Sequence, residues 1–149
     1  MRFTAEALSA DPATAIATVI SLAPLLEAPV LSDEGLAAVN ALLSTLTRSP
    51  HPSVRAACAR TLEHLYWRAD DPFGAPNLPV GERVALGLCE ALRREPAFEV
   101  RIAIVRSLQR HCFALAAQVL PLLQHTSGHD PMAEVREEAQ TALECLADP

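Results

Sequence analysis

The chain contains no lysine; its twelve basic residues are all arginine, which we read as the codon bias of a GC-rich, bacterial genome. Aromatic rings are scarce: four Phe, one Trp and one Tyr among 149 residues. With half of the residues apolar, the core falls to Ala, Leu, Val and Ile, which suits helix-on-helix layers better than a sheet. Glycine occurs five times, and no G-x-x-x-x-G-K-[ST], G-x-G-x-x-G or G-x-S-x-G is present. The phosphate-cradling loops and the nucleophile elbow that those patterns build are thereby excluded. Cys58, Cys89, Cys112 and Cys145 are separated by 31, 23 and 33 residues, so there is no CxxC pair. Cysteines within helical patterns behave as small buried hydrophobes, and reduced thiols in a cytoplasmic setting are expected. Glu6 and Asp11 interrupt the N-terminus, so no signal peptide is read there. Residues 12–26 are uncharged, but fifteen residues with an internal Pro24 are too few to cross a bilayer, and no membrane is expected.

The length suits one domain spanning 1–149, large enough to bury a real core. A net charge of −6 disfavours general binding to nucleic acid or anionic membrane. That charge is uneven. Residues 1–47 carry net −4, residues 48–110 net +3 with ten Arg, and residues 111–149 net −5. A basic middle lies between acidic ends.

Three segments align without a gap: PHPSVRAACARTLEHL from Pro50, PAFEVRIAIVRSLQRH from Pro96 and PMAEVREEAQTALECL from Pro131. Each has Val four residues after the Pro (Val54, Val100, Val135), Arg next (Arg55, Arg101, Arg136), and later a Leu (Leu62, Leu108, Leu143). The apolar spacing is that of one helix face, and Pro costs no hydrogen bond at a helix start. A degenerate fourth copy begins at Pro12, with Ile16 and Ile20 in the core positions, no Arg, and Pro24 in place of the Leu. Between the copies, residues 33–46, 79–94 and 113–124 also show helical spacing, giving seven helices. We expect a lone helix at about 12–27, helix pairs at about 33–67, 79–111 and 113–147, and an inserted loop at 67–79. One helix pair cannot bury its stripe alone, whereas stacked pairs share a continuous core.

The second-helix pattern, seen in EPAFEVRIAIVRSL and DPMAEVREEAQTAL, resembles that of HEAT repeats, over nearly the whole chain. The resemblance implies an all-α fold, a short right-handed α-solenoid of helix pairs. It also implies a ladder between neighbouring repeats, with acids Glu95 and Asp130 and arginines Arg55, Arg101 and Arg136. Ser49 occupies the acid's place in the first full copy, and Pro121 matches the family's first-helix Pro. Glu134, Glu137, Glu138 and Gln140 read as a polar cap on the last helix, while the first helix offers only Thr and Ser. A homodimer through that bare N-terminal helix is one expectation.

Chemistry has few places to reside. His111 and Cys112, with His125, His129 and Asp130, form the best metal-ligand set by composition. Asp130 has a structural role by resemblance, and His129 follows Gly128 in what reads as a solvated loop. We expect no metal, no cofactor and no catalytic residue. Some HEAT-like proteins act on DNA bases and others handle bilin chromophores, so a nucleic-acid binder or a chromophore-handling enzyme is the alternative reading.

On the second helices, positions away from the core stripe carry Arg60 and Glu63 in one copy and Ile102, Val105, Arg106 and Gln109 in the next. An apolar centre with an Arg rim is the composition of partner-binding patches. Between those copies lies YWRADDPFGAPNLP, with the only Trp and Tyr. Trp67 and Phe73 are read there either as a plug over the core or as anchors for a partner. The expectation is a non-catalytic scaffold or adaptor that binds a protein partner with acidic and apolar groups on the concave face of the central repeats, together with the 66–79 loop.

Overall fold

The structure, a computed structural model, describes residues 11–65 and 77–147. Among these the chain is all-helical, with no strand. The helices are α1 (Pro12–Ser21), the single turn α2 (Ala23–Leu26), α3 (Asp33–Arg48), α4 (Pro52–Leu62), α5 (Leu78–Arg94), α6 (Phe98–His111), α7 (Ala116–His129) and α8 (Ala133–Ala147). Apart from the turn α2, this makes seven helices among the described residues. The inserted loop expected at 67–79, with Trp67 and Phe73, lies largely outside the described residues; α5 already begins at Leu78.

Local chemistry sets the boundaries. Asp11 caps α1, its Oδ1 accepting from the Thr14 amide at 3.1 Å and its Oδ2 from the Thr14 hydroxyl at 2.7 Å, and Pro12 opens the helix. Pro24 falls at the start of α2 and separates it from α1 at Leu22. Ser32 caps α3 by accepting from the Gly35 amide at 3.0 Å, and Asp33 and Glu34 sit in its first turn, where the helix dipole favours them. Ser49, Glu95 and Asp130 each end a helix one residue before a proline, in extended backbone with ψ of 133°, 118° and 135°. Pro Cδ excludes the helical conformation at the residue before it.

Helices pack in pairs, α3 on α4, α5 on α6 and α7 on α8. The second members also pack in series: α1 on α4, α4 on α6 and α6 on α8. Lighter contacts join α3 to α5 and α5 to α7. Val54, Cys58, Thr61 and Leu65 of the α4 copy, Val100, Ile104, Ser107 and His111 of α6, and Val135, Ala139 and Ala142 of α8 are all buried. The interior is aliphatic and continuous from Ala15 to Ala142.

Three expectations need correction. The buried residues of α1 are Ala15 and Val19, Ile16 is half-buried against the core, and Ile20 is 59 % exposed. Among the second helices α1 packs only on α4, so the direction of that one neighbour fixes its stripe. The segment 125–129 is not a loop, since α7 runs through Gly128 to His129. Its start is later than 113, because Cys112–Ala114 forms a 3-10 turn.

Asn77, 2 % exposed, fastens the chain between α2 and α3 to the start of α5. Its amide Nδ2 donates to the carbonyls of Ala28 and Pro29 at 3.3 and 3.0 Å, and its Oδ1 accepts from the Leu31 amide at 3.3 Å. One side chain thus satisfies three backbone groups that no helix serves.

Candidate protein-binding face and the arginine rungs

Each repeat places an Arg six residues after the residue that precedes its proline. Arg55 Nη1 donates to the Ser49 carbonyl at 2.8 Å, Arg101 Nη1 to that of Glu95 at 3.1 Å, and Arg136 Nη1 to that of Asp130 at 2.6 Å. The first two arginines also reach the following repeat. Arg55 holds the Glu95 carboxylate with Nε at 2.9 Å and Nη2 at 2.8 Å. Arg101 holds Asp130 likewise, at 2.9 and 3.1 Å. These forks are nearly dry, with side chains 11 % and 4 % exposed in the first and 11 % and 7 % in the second. The carboxylates also serve their own helices: Glu95 Oε1 accepts from the Ala97 amide at 3.2 Å and Asp130 Oδ1 from the Met132 amide at 2.9 Å. A planar guanidinium and a planar carboxylate meeting through two bonds fix orientation as well as distance. Arg136 has no carboxylate partner among the described residues, and no rung joins α1 to α4.

The expected partner-binding residues divide. Val105 is fully buried and belongs to the core, so it offers no surface; this corrects its expected place at the centre of the patch. α6 is flanked by α4 on one side and α8 on the other, so it buries a wider arc than a stripe facing one neighbour. Ile102 and Gln109 are half-buried, one turn before and after Arg106. Arg60 and Arg106 are exposed and Glu63 is half-buried. Burial pushes the Glu63 carboxyl up, while the charges of His64, Arg106, Arg60 and Arg110 pull it back. Arg106 donates to Glu138 of α8 through Nε at 2.8 Å and Nη2 at 3.4 Å. Trp67 and Phe73 lie outside the described residues.

Glu138 and Arg110 were missed in the sequence. Glu138 reads there as part of a cap, and its partner lies one repeat away, three positions further along the aligned pattern. Beside this cluster, His64 Nδ1 donates to Glu27 Oε1 at 2.8 Å.

The candidate nucleophiles and metal ligands do not converge. Burial pushes the Cys58 thiol up to about 12 and those of Cys89 and Cys112 upward, so none is poised as a thiolate. His111 is fully buried and donates from Nε2 to the Leu62 carbonyl at 2.8 Å. Burial holds its pKa down to about 4. His125 and His129 are exposed on α7 and stack with ring centroids 4.4 Å apart. No group of three metal-ligating side chains occurs among the described residues. Two open clefts of about 290 and 340 Å³ lie at the rungs, the first beside Arg55, Glu90 and Arg94 and the second beside Arg93, Arg101 and His125. The rung carboxylates lining them are already engaged by arginine. No described helix is long and apolar enough to cross a membrane.

No family model, no curated protein and no solved structure matches this chain.

Proposed function

We propose that the chain is a HEAT-like α-solenoid that acts as a non-catalytic scaffold, binding a protein partner across the outward side of α4 and α6. The observation that carries this reading is the half-buried Ile102 set one turn before exposed Arg106, with Arg60 and Arg110 exposed nearby and in no ion pair among the described residues. The serial packing of second helices and the two arginine rungs support the solenoid part of the reading. A partner with acidic and apolar groups fits a face with a positive rim and an aliphatic centre. Glu63 and Glu138 temper the positive charge, so the partner is selected by position rather than by bulk attraction. Val105 drops out of the contact set, which among the described residues is Arg60, Glu63, Ile102, Arg106 and Gln109.

The test is recovery of partners from the source cell with the native chain and with Arg60→Glu, Ile102→Asp and Arg106→Glu combined, after circular dichroism shows equal helix content. A protein recovered by the native chain and lost by the variant supports the reading. The same protein recovered by both moves the site elsewhere. Retention on heparin at physiological salt, abolished by the same three changes, would replace a protein partner with nucleic acid.

A further inference from the structure

We propose that Arg136 is the docking point for Asp11 of a second copy of the chain, so that copies associate head to tail with α1 of one packed on α8 of the next. In each filled rung, an Arg of one second helix grips the carboxylate that leads into the next helix of the row, Arg55 with Glu95 and Arg101 with Asp130. Arg136 occupies the same place on α8. Its Nη1 is tied to its own Asp130 carbonyl as in the other two copies, and the fork that would hold a carboxylate has no acid among the described residues.

The opposite end of the row supplies the missing half. Asp11 precedes Pro12 as Glu95 precedes Pro96 and Asp130 precedes Pro131. Its carboxylate already accepts from Thr14 in its own helix, as those of Glu95 and Asp130 accept from the Ala97 and Met132 amides beside theirs, and it faces no arginine among the described residues. A second observation is apolar. Ile20 of α1 is 59 % exposed, while Ile16, half-buried, packs against the core. Residues 12–26 carry no charge, so α1 can approach the acidic α8 without like-charge repulsion. α8 carries exposed Gln140 where α4 and α6 bury Ala59 and Val105, which makes the contact wet and weak. Such a heterologous contact builds open chains, or a ring where the rotation closes, rather than a two-fold dimer.

The measurement is weight-average mass by sedimentation equilibrium over rising concentration, for the native chain, Asp11→Arg, Arg136→Asp and an equimolar mixture of the two variants. The native mass is expected to climb past that of a dimer. Each variant alone sets like charges against each other and stays monomeric. The mixture pairs Arg136 of one variant with the unchanged Asp11 of the other and recovers the rise. If Asp11→Arg loosens α1, Asp11→Asn, which keeps the capping acceptor and removes the charge, is expected to weaken association in the same direction. A native mass that stays monomeric overturns the proposal. So does a plateau at dimer that neither variant affects, the signature of an α1-to-α1 contact, or loss in both variants without recovery on mixing.

Discussion

Replacing Arg101 by Met tests whether the rungs hold the helix row together. The Arg101 and Asp130 side chains are 11 % and 7 % exposed, and Arg101 also donates to the carbonyls of Glu95 at 3.1 Å and Pro96 at 2.9 Å. Met keeps most of the volume and removes the charge, leaving the Asp130 carboxylate in a nearly dry site with only the Met132 amide. Taking one partner from a buried pair costs about 3–5 kcal/mol, because the remaining charge is uncompensated. Domains of this size have roughly 5–15 kcal/mol in total, so the variant forfeits a large share. For a chain of about 150 residues that loss lowers the melting temperature by roughly 6–20 °C. Arg106→Met is the internal control. Arg106 is 56 % exposed and its pair with Glu138 is open to solvent, so its loss is held to about 1 kcal/mol or less. Urea denaturation at neutral pH reads both, urea being uncharged. If the two variants lose equal stability, or Arg101→Met loses less than about 1 kcal/mol, the rungs are ornamental and the apolar core alone sets the stack.

Further outcomes follow from single side chains. His111 is held neutral, with its pKa down to about 4 against an ordinary 6.5, so its contribution is present above pH 6.5 and is lost as pH falls through 4, to the extent of about 3 kcal/mol; urea midpoints at pH 7 and 4.5 should diverge, and far less so in His111→Gln. An ordinary His111 titration by NMR would sink that account. Ser107 Oγ is buried with no hydrogen-bond partner among the described residues, so Ser107→Ala should be neutral or stabilising by about 1 kcal/mol, and a marked loss would mean that the hydroxyl has a partner. A Cβ on Gly35 would sit 2.9 Å from the Leu25 carbonyl oxygen, whereas one on Gly87 would meet only the tip of Leu43 at 2.9 Å. Gly35→Ala should therefore cost about 1–3 kcal/mol. Gly87→Ala should be near neutral, its contact offset by up to about 1 kcal/mol of helix propensity, and the order of the two melting temperatures decides.

Much of the helix layout was legible because the three ungapped copies repeat both period and punctuation. Val54, Val100 and Val135 mark the buried stripe, and the prolines mark where the helices begin. What was not legible depended on neighbours. In α1 the residues Ala15, Ile16, Val19 and Ile20 are all apolar, so periodicity alone cannot choose which pair turns inward; packing on α4 chooses Ala15 and Val19. Val105 lies off the stripe on a helical wheel, yet two flanking helices bury it. Gly128 looks like a helix stop, but α7 has open space around it and continues to His129. Asn77 reads as a loop residue, and its bonds to residues 28–31 span more than forty positions that no local pattern connects.

The rungs also explain why a row of such soft composition can hold a definite register. Burial of Ala, Val and Leu is favourable but carries no direction, and small aliphatic surfaces slide past one another at little cost. A bidentate Arg–carboxylate fork has direction, and here each carboxylate is itself pinned to the residue just before its helix. Displacing α6 along α4, or α8 along α6, would therefore break a fork and a helix start together, while much of the apolar area stayed buried. The junction of α1 with α4 has no fork. Among the described residues, α1 is the member of the row whose placement on its neighbour rests on apolar contact alone. Its helix start is pinned by Asp11, but that carboxylate is tied to no neighbouring helix.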